Sequence, residues 1–220
     1  MGQGRSEAVK ILAISDKVTE VLYSRAIREH YGDVDLIIAC GDLPFYYLEY
    51  IISSLNVPGF FVYGNHDFNT RFTTEGRVSI HPPGWVNLDG RSLCAAGLLL
   101  AGLEGSVRYR PDGVHQYTQS ETQRKALRLL PRLILNRLQH GRYLDILVAH
   151  APPFGIHDGP DHAHIGFKAF LTLMERFRPR YLLHGHKHVY GLEPTRTTYH
   201  ETEVINVYPY RVIEISENGK

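Results

Sequence analysis

The sequence contains few cysteines and no long apolar run, and these shortages exclude several classes of protein. Among its 220 residues are two cysteines, Cys40 and Cys94, which cannot form the disulfide framework of a small secreted domain. No apolar stretch approaches the roughly 20 residues that a membrane-spanning helix needs. Residues 9–15 are too short to be the apolar core of a secretory signal. We therefore expect a cytoplasmic protein that has no membrane partner.

Concentrated positive charge is also missing from the chain. Lysine and arginine number 24 against 23 aspartates and glutamates, so the net charge is +1 with neutral histidine, and no five basic residues are consecutive. Duplex nucleic acid requires a basic patch, so we expect a small-molecule partner and no duplex nucleic acid. The stretch after Thr118 indicates either a solvated helix surface, which is the simpler interpretation, or a phosphate-binding face, because it carries Arg124, Lys125, Arg128 and Arg132.

Short apolar runs alternate with amphipathic stretches, which is the pattern of an α/β fold. Buried strands are predicted at residues 9–15, 36–40, 60–63, 146–149 and 181–183, with later strands near 203–207 and 211–215. Helices are predicted at residues 21–31, 46–55, 118–140 and 167–177. Hydrophobic residues make up 43% of the chain, which is enough for a sizeable core. We expect one domain over residues 1–220, with residues 1–7 disordered.

Two local signals refine this pattern. Pro131 should bend or split the third helix, because proline lacks the N–H group that a helix interior uses for its hydrogen bonds. Asp89-Gly90 is the dipeptide of a two-residue hairpin turn, so an antiparallel pair is predicted between residues 85–88 and 92–96.

Residues that can bind a metal follow five of the predicted strands. The segments are Asp16, Gly41-Asp42, Gly64-Asn65-His66-Asp67, His150 and Gly185-His186-Lys187-His188. Ligands of open α/β sheets bind beyond the carboxyl ends of the strands, so these segments should converge. Carboxylate oxygen and imidazole nitrogen without thiolate suit manganese, iron or zinc. A carboxylate such as Asp42 can bridge two such ions, which together can activate water and bind phosphate oxygens.

This ordered set of segments resembles the calcineurin-like metallophosphoesterases, whose hallmark is Asp-x-His, Gly-Asp, Gly-Asn-His-Asp, His and Gly-His-x-His. The likeness extends from Asp16 to His188. It implies a four-layer metallophosphoesterase sandwich, in which two mixed β-sheets are flanked by helices. It also implies that a phosphate ester is hydrolysed at a site with two divalent metal ions, for which manganese is the preferred candidate.

The resemblance implies a role for each residue of the site. One metal would be held by Asp16, Asp42 and His188, and the other by Asp42, Asn65, His150 and His186. His66 would face the substrate, where it would stabilise the transition state or protonate the leaving group. Asp67 would orient His66, as a neighbouring carboxylate does for many functional imidazoles.

A second stretch resembles the small-phosphodiesterase branch of the family. It runs from His150-Ala151-Pro152-Pro153-Phe154-Gly155 through Asp158 to His164-Ile165-Gly166. The branch favours a small phosphodiester, such as a cyclic nucleotide or another nucleotide-derived diester, with His164 as a candidate for the substrate pocket. Surface or packing roles are predicted for His157, His162 and His184. Two alternatives are a phosphomonoesterase and a non-catalytic binding or scaffold protein with a degenerate metal site.

One position departs from the family pattern. The first segment reads Asp16-Lys17-Val18, with valine where the family has histidine, and valine cannot bind a metal. In purple acid phosphatases, a branch of the same superfamily, a tyrosine three residues after the second-segment aspartate takes that role. Here that place is Phe45, and Tyr46 and Tyr47 follow it; these tyrosines could supply a tyrosinate, line the pocket, or only pack at the start of a helix. The first metal is therefore predicted to bind more weakly.

Overall fold

The predicted strands and helices occur in the predicted order, and the structure adds strands that were not predicted, among them a central strand at Leu98–Leu103. The computed structural model describes residues 8–67, 71–72, 78–79 and 81–216, so the expected disorder of residues 1–7 lies outside the described residues. Within these ranges the helices are α1 (Ala26–Tyr31), α2 (Phe45–Leu55), α3 (Gln119–His140) and α4 (Lys168–Phe177). The strands are β1 (Ala8–Ile14), β2 (Leu36–Ala39), β3 (Gly59–Phe61), β4 (Arg71–Phe72), β5 (Val78–Ser79), β6 (Trp85–Asn87), β7 (Ser92–Ala95), β8 (Leu98–Leu103), β9 (Ser106–Val107), β10 (Gln116–Tyr117), β11 (Ile146–Ala149), β12 (Tyr181–His184), β13 (Arg196–Tyr199), β14 (Thr202–Asn206) and β15 (Tyr210–Ser216).

Two large mixed sheets form the centre of the molecule. The first sheet has the strand order β15-β1-β2-β3-β6, and the second has the order β13-β14-β12-β11-β8-β7. Strands β1, β2, β3 and β6 run parallel, as do β14, β12, β11 and β8. The antiparallel partners β15, β13 and β7 occupy edges. The parallel strands of each sheet therefore end on the same side, which is where their following loops can meet.

Apolar side chains pack in three layers around these sheets. Between the sheets, Ile38 and Val62 of the first sheet share a fully buried cluster with Leu100 and Val148 of the second. The outer face of the first sheet packs against α1 and α2, and that of the second sheet packs against α3 and α4. Because both faces of the central strands are covered, these strands are nearly all apolar. The layers therefore follow the order helices, sheet, sheet, helices. The predicted four-layer sandwich is confirmed.

The predicted hairpin at Asp89-Gly90 is wrong. Strand β6 before this turn pairs with β3 in the first sheet, whereas β7 after it pairs with β8 in the second. At this turn the chain instead passes from the first sheet to the second. The Asp89 carboxylate stabilises the connection by accepting a 3.0 Å hydrogen bond from the Glu104 N–H. The actual hairpin joins β7 to β8 through Ala96 and Gly97, both with positive φ as such tight turns require.

Two helix predictions change in the structure. Helix α3 is continuous from Gln119 to His140 with Pro131 inside it, so it does not split there, and the predicted bend stays a prediction. Pro131 is on the exposed side, where water can satisfy the carbonyl group that loses its partner. Helix α1 begins at Ala26 and not near residue 21, and the Ser24 hydroxyl donates to the Val21 carbonyl in the preceding turns. Such a side-chain bond competes with helix formation.

The other predicted strands and helices agree with the structure to within one or two residues at most ends. Among the helices of the described residues, none is long and apolar enough to cross a bilayer.

Candidate metal centre

The predicted metal-binding segments converge at one edge of the two sheets. Asp16 follows β1, Asp42 follows β2, and His150 follows β11. Asp16, Asp42 and His186 all have left-handed backbone conformations, with φ of 62°, 56° and 65°. Such conformations are unfavourable for residues other than glycine and tend to occur at functional sites, where the surrounding structure enforces them. Here they turn the chain sharply at the point where each strand ends.

Two glycines of these segments lie so close to neighbouring side chains that no larger residue would fit. A Cβ atom on Gly64 would collide with the Asp42 carboxylate, and one on Gly185 would collide with the Ser15 hydroxyl and the Asp16 carboxylate. The loops after β3 and β12 therefore pass directly against the carboxylates of the site. This contact explains why glycine precedes Asn65 and His186 in the chain.

His150 directs its Nε2 atom to the centre of the site. Its Nδ1 lies 2.7 Å from the Cys40 carbonyl oxygen, which can only accept, so Nδ1 carries a proton. The other nitrogen, Nε2, lies 3.0 Å from Asn65 Oδ1 and 3.3 Å from Asp42 Oδ2. In the neutral imidazole three acceptor atoms face one another here. An acceptor cluster of this kind requires either a proton or a cation between its members.

The charges around His150 show how strongly the site attracts a cation. Burial opposes the charged imidazole, yet the Asp42 and Asp16 carboxylates and the hydrogen bond to Asp42 raise the pKa of His150 to about 9. Burial likewise opposes ionisation of Asp42, but the charge and hydrogen bond of His150 and the His66 N–H lower its pKa to about 2. Burial raises the pKa of Asp16, and the neighbouring Asp42 carboxylate adds to this increase. A divalent ion would offset both the burial of these carboxylates and the repulsion between them.

His186 supplies a second imidazole lone pair. Its Nε2 lies 2.8 Å from the Ala163 carbonyl oxygen, so Nε2 donates and Nδ1 holds the lone pair. Burial, and then the positive charge of His150, lower the pKa of His186 to about 3. One ligand atom each from Asp42, His150 and His186 lies within 4.8 Å of the other two. A largely buried carboxylate and two buried imidazoles in this arrangement fit a divalent metal ion.

Asp16 and His188 lie beside this cluster. The Asp16 carboxylate is almost fully buried and accepts hydrogen bonds from the Ser15 hydroxyl and from the His186 N–H. His188 Nε2 lies 3.8 Å from Asp16 Oδ1, and the side chain is 46% exposed. Its ring stacks on Tyr208, with ring centres 4.5 Å apart. The second imidazole of the Gly-His-Lys-His segment is therefore held at the rim of the site.

An open cavity of about 530 Å³ lies over these groups. It is lined by Asp16, Asp42, His66, Gly159, Pro160, Asp161, His164, His186, Lys187, His188, Tyr190 and Glu193. His66 is exposed, while its backbone N–H donates a 2.7 Å hydrogen bond to Asp42 Oδ1. His164 Nδ1 lies 2.8 Å from the Asp161 carboxylate. Both His66 and His164 line this cavity, and their roles towards a substrate stay predictions.

Asp67 bonds to the backbone of two neighbouring loops. Its carboxylate accepts hydrogen bonds from three backbone N–H groups, those of Asp42, Leu43 and Gly64, at 2.7 to 3.0 Å. Burial and the Asp42 charge raise its pKa to about 6. These contacts join the loop after β2 to the loop after β3. They position the Asp42 backbone, and a role in orienting His66 stays a prediction.

Neither Tyr46 nor Tyr47 lines the cavity, in contrast to the sequence prediction. Tyr47 is fully buried in the core beneath the first sheet, and its hydroxyl lies 3.2 Å from the Thr19 hydroxyl. Burial raises the pKa of Tyr47, which opposes a tyrosinate. Tyr46 is 51% exposed and contacts the edge of the Tyr23 ring. Both belong to helix α2 and pack against Tyr23 at its start. This agrees with the other interpretation of these tyrosines, that they only pack at the start of a helix.

Sequence reasoning missed two polar groups that support the site. The Asn65 side-chain N–H donates a 3.1 Å hydrogen bond to the Tyr109 hydroxyl, which turns Asn65 Oδ1 towards His150. The Ser15 hydroxyl donates to the Asp16 carboxylate. Ser15 could have been found as the neighbour of Asp16, but Tyr109 carries no motif and follows the short strand β9. Of the three histidines predicted to have surface or packing roles, His162 is exposed, and His157 and His184 contact each other.

Solved structures of other proteins share this fold. One solved structure aligns with a TM-score of 0.62 at 16% identity over 94% of this chain and 95% of that chain. Another, the TT1561 protein of Thermus thermophilus, aligns with a TM-score of 0.61 at 16% identity over 91% of this chain and 89% of that chain. Vacuolar Protein Sorting 29 from Cryptosporidium parvum is less similar, with a TM-score of 0.45 at 10% identity over 95% and 86% of the two chains. At these identities the likeness concerns the fold.

The family comparison reaches the site itself. No curated protein matches the chain in sequence. The calcineurin-like phosphoesterase family matches residues 10–190, a range that includes every segment of the site from Asp16 to His188. The chain therefore belongs to the calcineurin-like phosphoesterase family, and this membership supports metal-dependent hydrolysis of a phosphate ester.

Proposed function

We propose that the protein hydrolyses a small phosphodiester at a site that holds two divalent metal ions. The observation that carries this proposal is the convergence of acceptor atoms from Asp42, Asn65 and His150 in a buried place, beside the lone pair of His186. These atoms must share either a proton, which the raised pKa of His150 supplies in the metal-free protein, or a metal cation in its place. When bound, the two ions would supply positive charge for the phosphate oxygens and activate water for attack.

The ligands divide into two sets around Asp42. Asp42, Asn65, His150 and His186 would hold one ion, and Asp16, Asp42 and His188 the other. Manganese is the preferred candidate because oxygen ligands outnumber or equal nitrogen ligands in both sets, and iron and zinc also suit imidazole. Burial raises the pKa of the Cys40 thiol well above its ordinary value, so this nearby sulfur stays protonated and does not compete as a ligand.

His66 is the proposed proton donor to the leaving group. It lines the cavity, it is exposed enough to reach a substrate, and its own backbone N–H is bonded to the shared ligand Asp42. This bond keeps the imidazole next to the place where a phosphate would bind. A positioned acid contributes typically about 10²- to 10⁴-fold to a rate.

The shape and charge of the cavity support a small substrate. Its walls combine the cation Lys187 and the imidazoles of His164 and His188 with the aromatic ring of Tyr190. The Asp161 carboxylate holds the His164 ring by its Nδ1. A volume of about 530 Å³ admits a nucleotide-sized ester but no duplex. The preference for diesters over monoesters rests on the resemblance of residues 150–166 to the small-phosphodiesterase branch.

The first test compares two synthetic substrates. We expect hydrolysis of a bis-aryl phosphodiester in the presence of Mn²⁺, and slower hydrolysis of the matching aryl monoester. Exhaustive chelation should abolish both activities, and added Mn²⁺ should restore them, because the attacking water depends on the metal. Faster monoester turnover would show a phosphomonoesterase. Turnover that survives chelation would contradict metal dependence, and no turnover on either ester would favour a non-catalytic binding protein.

The second test concerns the two metal positions, which we expect to be unequal. Val18, where the family has a histidine, packs half-buried against the core cluster beneath the first sheet and does not line the cavity. The position of Asp16 and His188 therefore lacks one imidazole, whose loss lowers metal affinity. Titration calorimetry of metal-free protein with Mn²⁺ should resolve a tight and a weak site.

A variant of His188 tests which residues form the weak site. His188→Ala should remove the weak binding event and leave the tight one, because His188 lies outside the group of Asp42, His150 and His186. Two sites of equal and tight affinity in the wild type would show that another residue replaces the missing histidine.

We also propose that the protein works in the cytoplasm. Both cysteines are free, Cys40 buried and Cys94 exposed. An exposed free thiol is stable in a reducing compartment, which supports this location.

A further inference from the structure

A chain of hydrogen bonds connects an edge strand to the loop that carries His186. His184 is fully buried at the end of β12, and its Nδ1 lies 3.0 Å from the Gly185 carbonyl oxygen. His184 Nε2 lies 3.0 Å from His157 Nδ1. His157 Nε2 lies 2.9 Å from the hydroxyl of Thr197 on β13. The two imidazoles therefore link Thr197 to the Gly185–His186 peptide.

The direction of every bond in this chain follows from its last member. The Gly185 carbonyl can only accept, so His184 Nδ1 carries a proton and, in a neutral ring, His184 Nε2 accepts. His157 Nδ1 must then donate, which leaves His157 Nε2 to accept from the Thr197 hydroxyl. The bond to the Gly185 carbonyl does not depend on the charge of His184, because Nδ1 carries the donated proton in the neutral ring and in the charged ring alike.

The backbone of Gly185 and His186, at the end of this chain, connects two parts of the site. The Gly185 N–H donates a 3.0 Å hydrogen bond to the His150 carbonyl, and the His186 N–H donates to the Asp16 carboxylate at 3.0 Å. The Gly185 carbonyl also accepts from the Lys187 N–H at 2.8 Å across His186, whose φ is 65°. This is a three-residue turn of a rare and strained kind. A second donor to the same carbonyl stabilises it.

We infer that His157 and His184 are positioning residues that hold the turn around His186, and thereby direct the His186 and Asp16 side chains into the metal centre. Burying the His184 ring fully and the His157 ring in part is costly unless their hydrogen bonds are made, and an apolar pair of the same size would fill the space without that cost. The bonds end on the one carbonyl that closes the turn. The inference rests on the proposed function, since it takes His186 as a metal ligand.

Paired substitutions of His184 separate positioning from packing. His184→Asn keeps an N–H near the place of Nδ1, whereas His184→Leu removes it. In metal-free protein, amide hydrogen exchange at Lys187 should be faster in His184→Leu than in the wild type, and should stay slow in His184→Asn. Mn²⁺ affinity at the tight site should fall about 10- to 100-fold in the leucine variant, as is typical when the partner of a metal ligand is lost.

A second pair avoids the fully buried position. His157→Asn keeps a donor to His184 Nε2 and His157→Leu does not, so the leucine variant should show the faster exchange and the weaker Mn²⁺ binding. Nitrogen-15 spectra of the wild type should show both rings as neutral Nδ1–H tautomers. Equal exchange in the leucine and asparagine variants, or an Nε2–H tautomer at His184, would overturn the inference. Exchange needs no metal, so a wild type that fails to bind Mn²⁺ overturns the proposed function separately.

Discussion

Replacing Asp42 with asparagine should lower turnover to the level of the chelated enzyme and empty both metal positions. Asp42 Oδ2 lies 3.3 Å from His150 Nε2, and Oδ1 accepts from the His66 N–H, so its carboxylate stands at the centre of the ligand set. Asparagine keeps the shape but removes a negative charge that two cations would share. It also brings an amide whose N–H₂ group would oppose a cation. Elemental analysis of purified protein and the aryl diester assay measure the two effects.

The control for this change is Asp33→Asn. Asp33 is a surface carboxylate that pairs with Lys10 at 2.6 Å and lies outside the cavity. This variant should keep both its metal and its activity, because an exposed pair contributes little to stability. If Asp42→Asn kept full occupancy at both positions, the bridging role of Asp42 would be rejected, and the two ions would have separate ligand sets.

Replacing His66 with alanine should reduce turnover roughly 10²- to 10⁴-fold while the metal content stays near that of the wild type. The His66 side chain is exposed in the cavity, and its connection to the ligand set runs through its backbone N–H, which alanine retains. The loss should appear in kcat and kcat/KM alike, since a proton donor acts in the transition state. A substrate with a more acidic leaving group should recover part of the rate.

His140→Ala serves as the matched control, because His140 is exposed in the last turn of helix α3 and does not line the cavity. Its activity and metal content should equal those of the wild type. Loss of metal from His66→Ala would make His66 a structural support of the site. An unchanged rate with a poor leaving group would assign the proton to another group, and His164 would be tested next.

The positions of the site residues along the chain could be predicted from the sequence because parallel strands impose a simple geometry. Strands β1, β2, β3, β11 and β12 are buried on both faces, so each appears in the sequence as a short apolar run. Each is followed directly by its polar segment, and the carboxyl ends of parallel strands meet at one edge. Asp42, His150 and His186 could therefore be placed together without knowledge of the loops. The aromatic residues after Asp42 were harder, because the sequence does not show which face of helix α2 packs inward.

The sequence by itself determined the alternation of strands and helices, the order of the metal-binding segments and the glycines that let those segments approach one another. Each of these depends on neighbours along the chain. Only the tertiary structure decided that the turn at Asp89-Gly90 crosses between sheets, that Tyr47 is buried against Thr19, and that Tyr109 orients Asn65. The same holds for the link between His157 and His184, 27 residues apart. Pairings of this kind depend on which surfaces meet when the two sheets stack, and no local pattern of residue types records that choice.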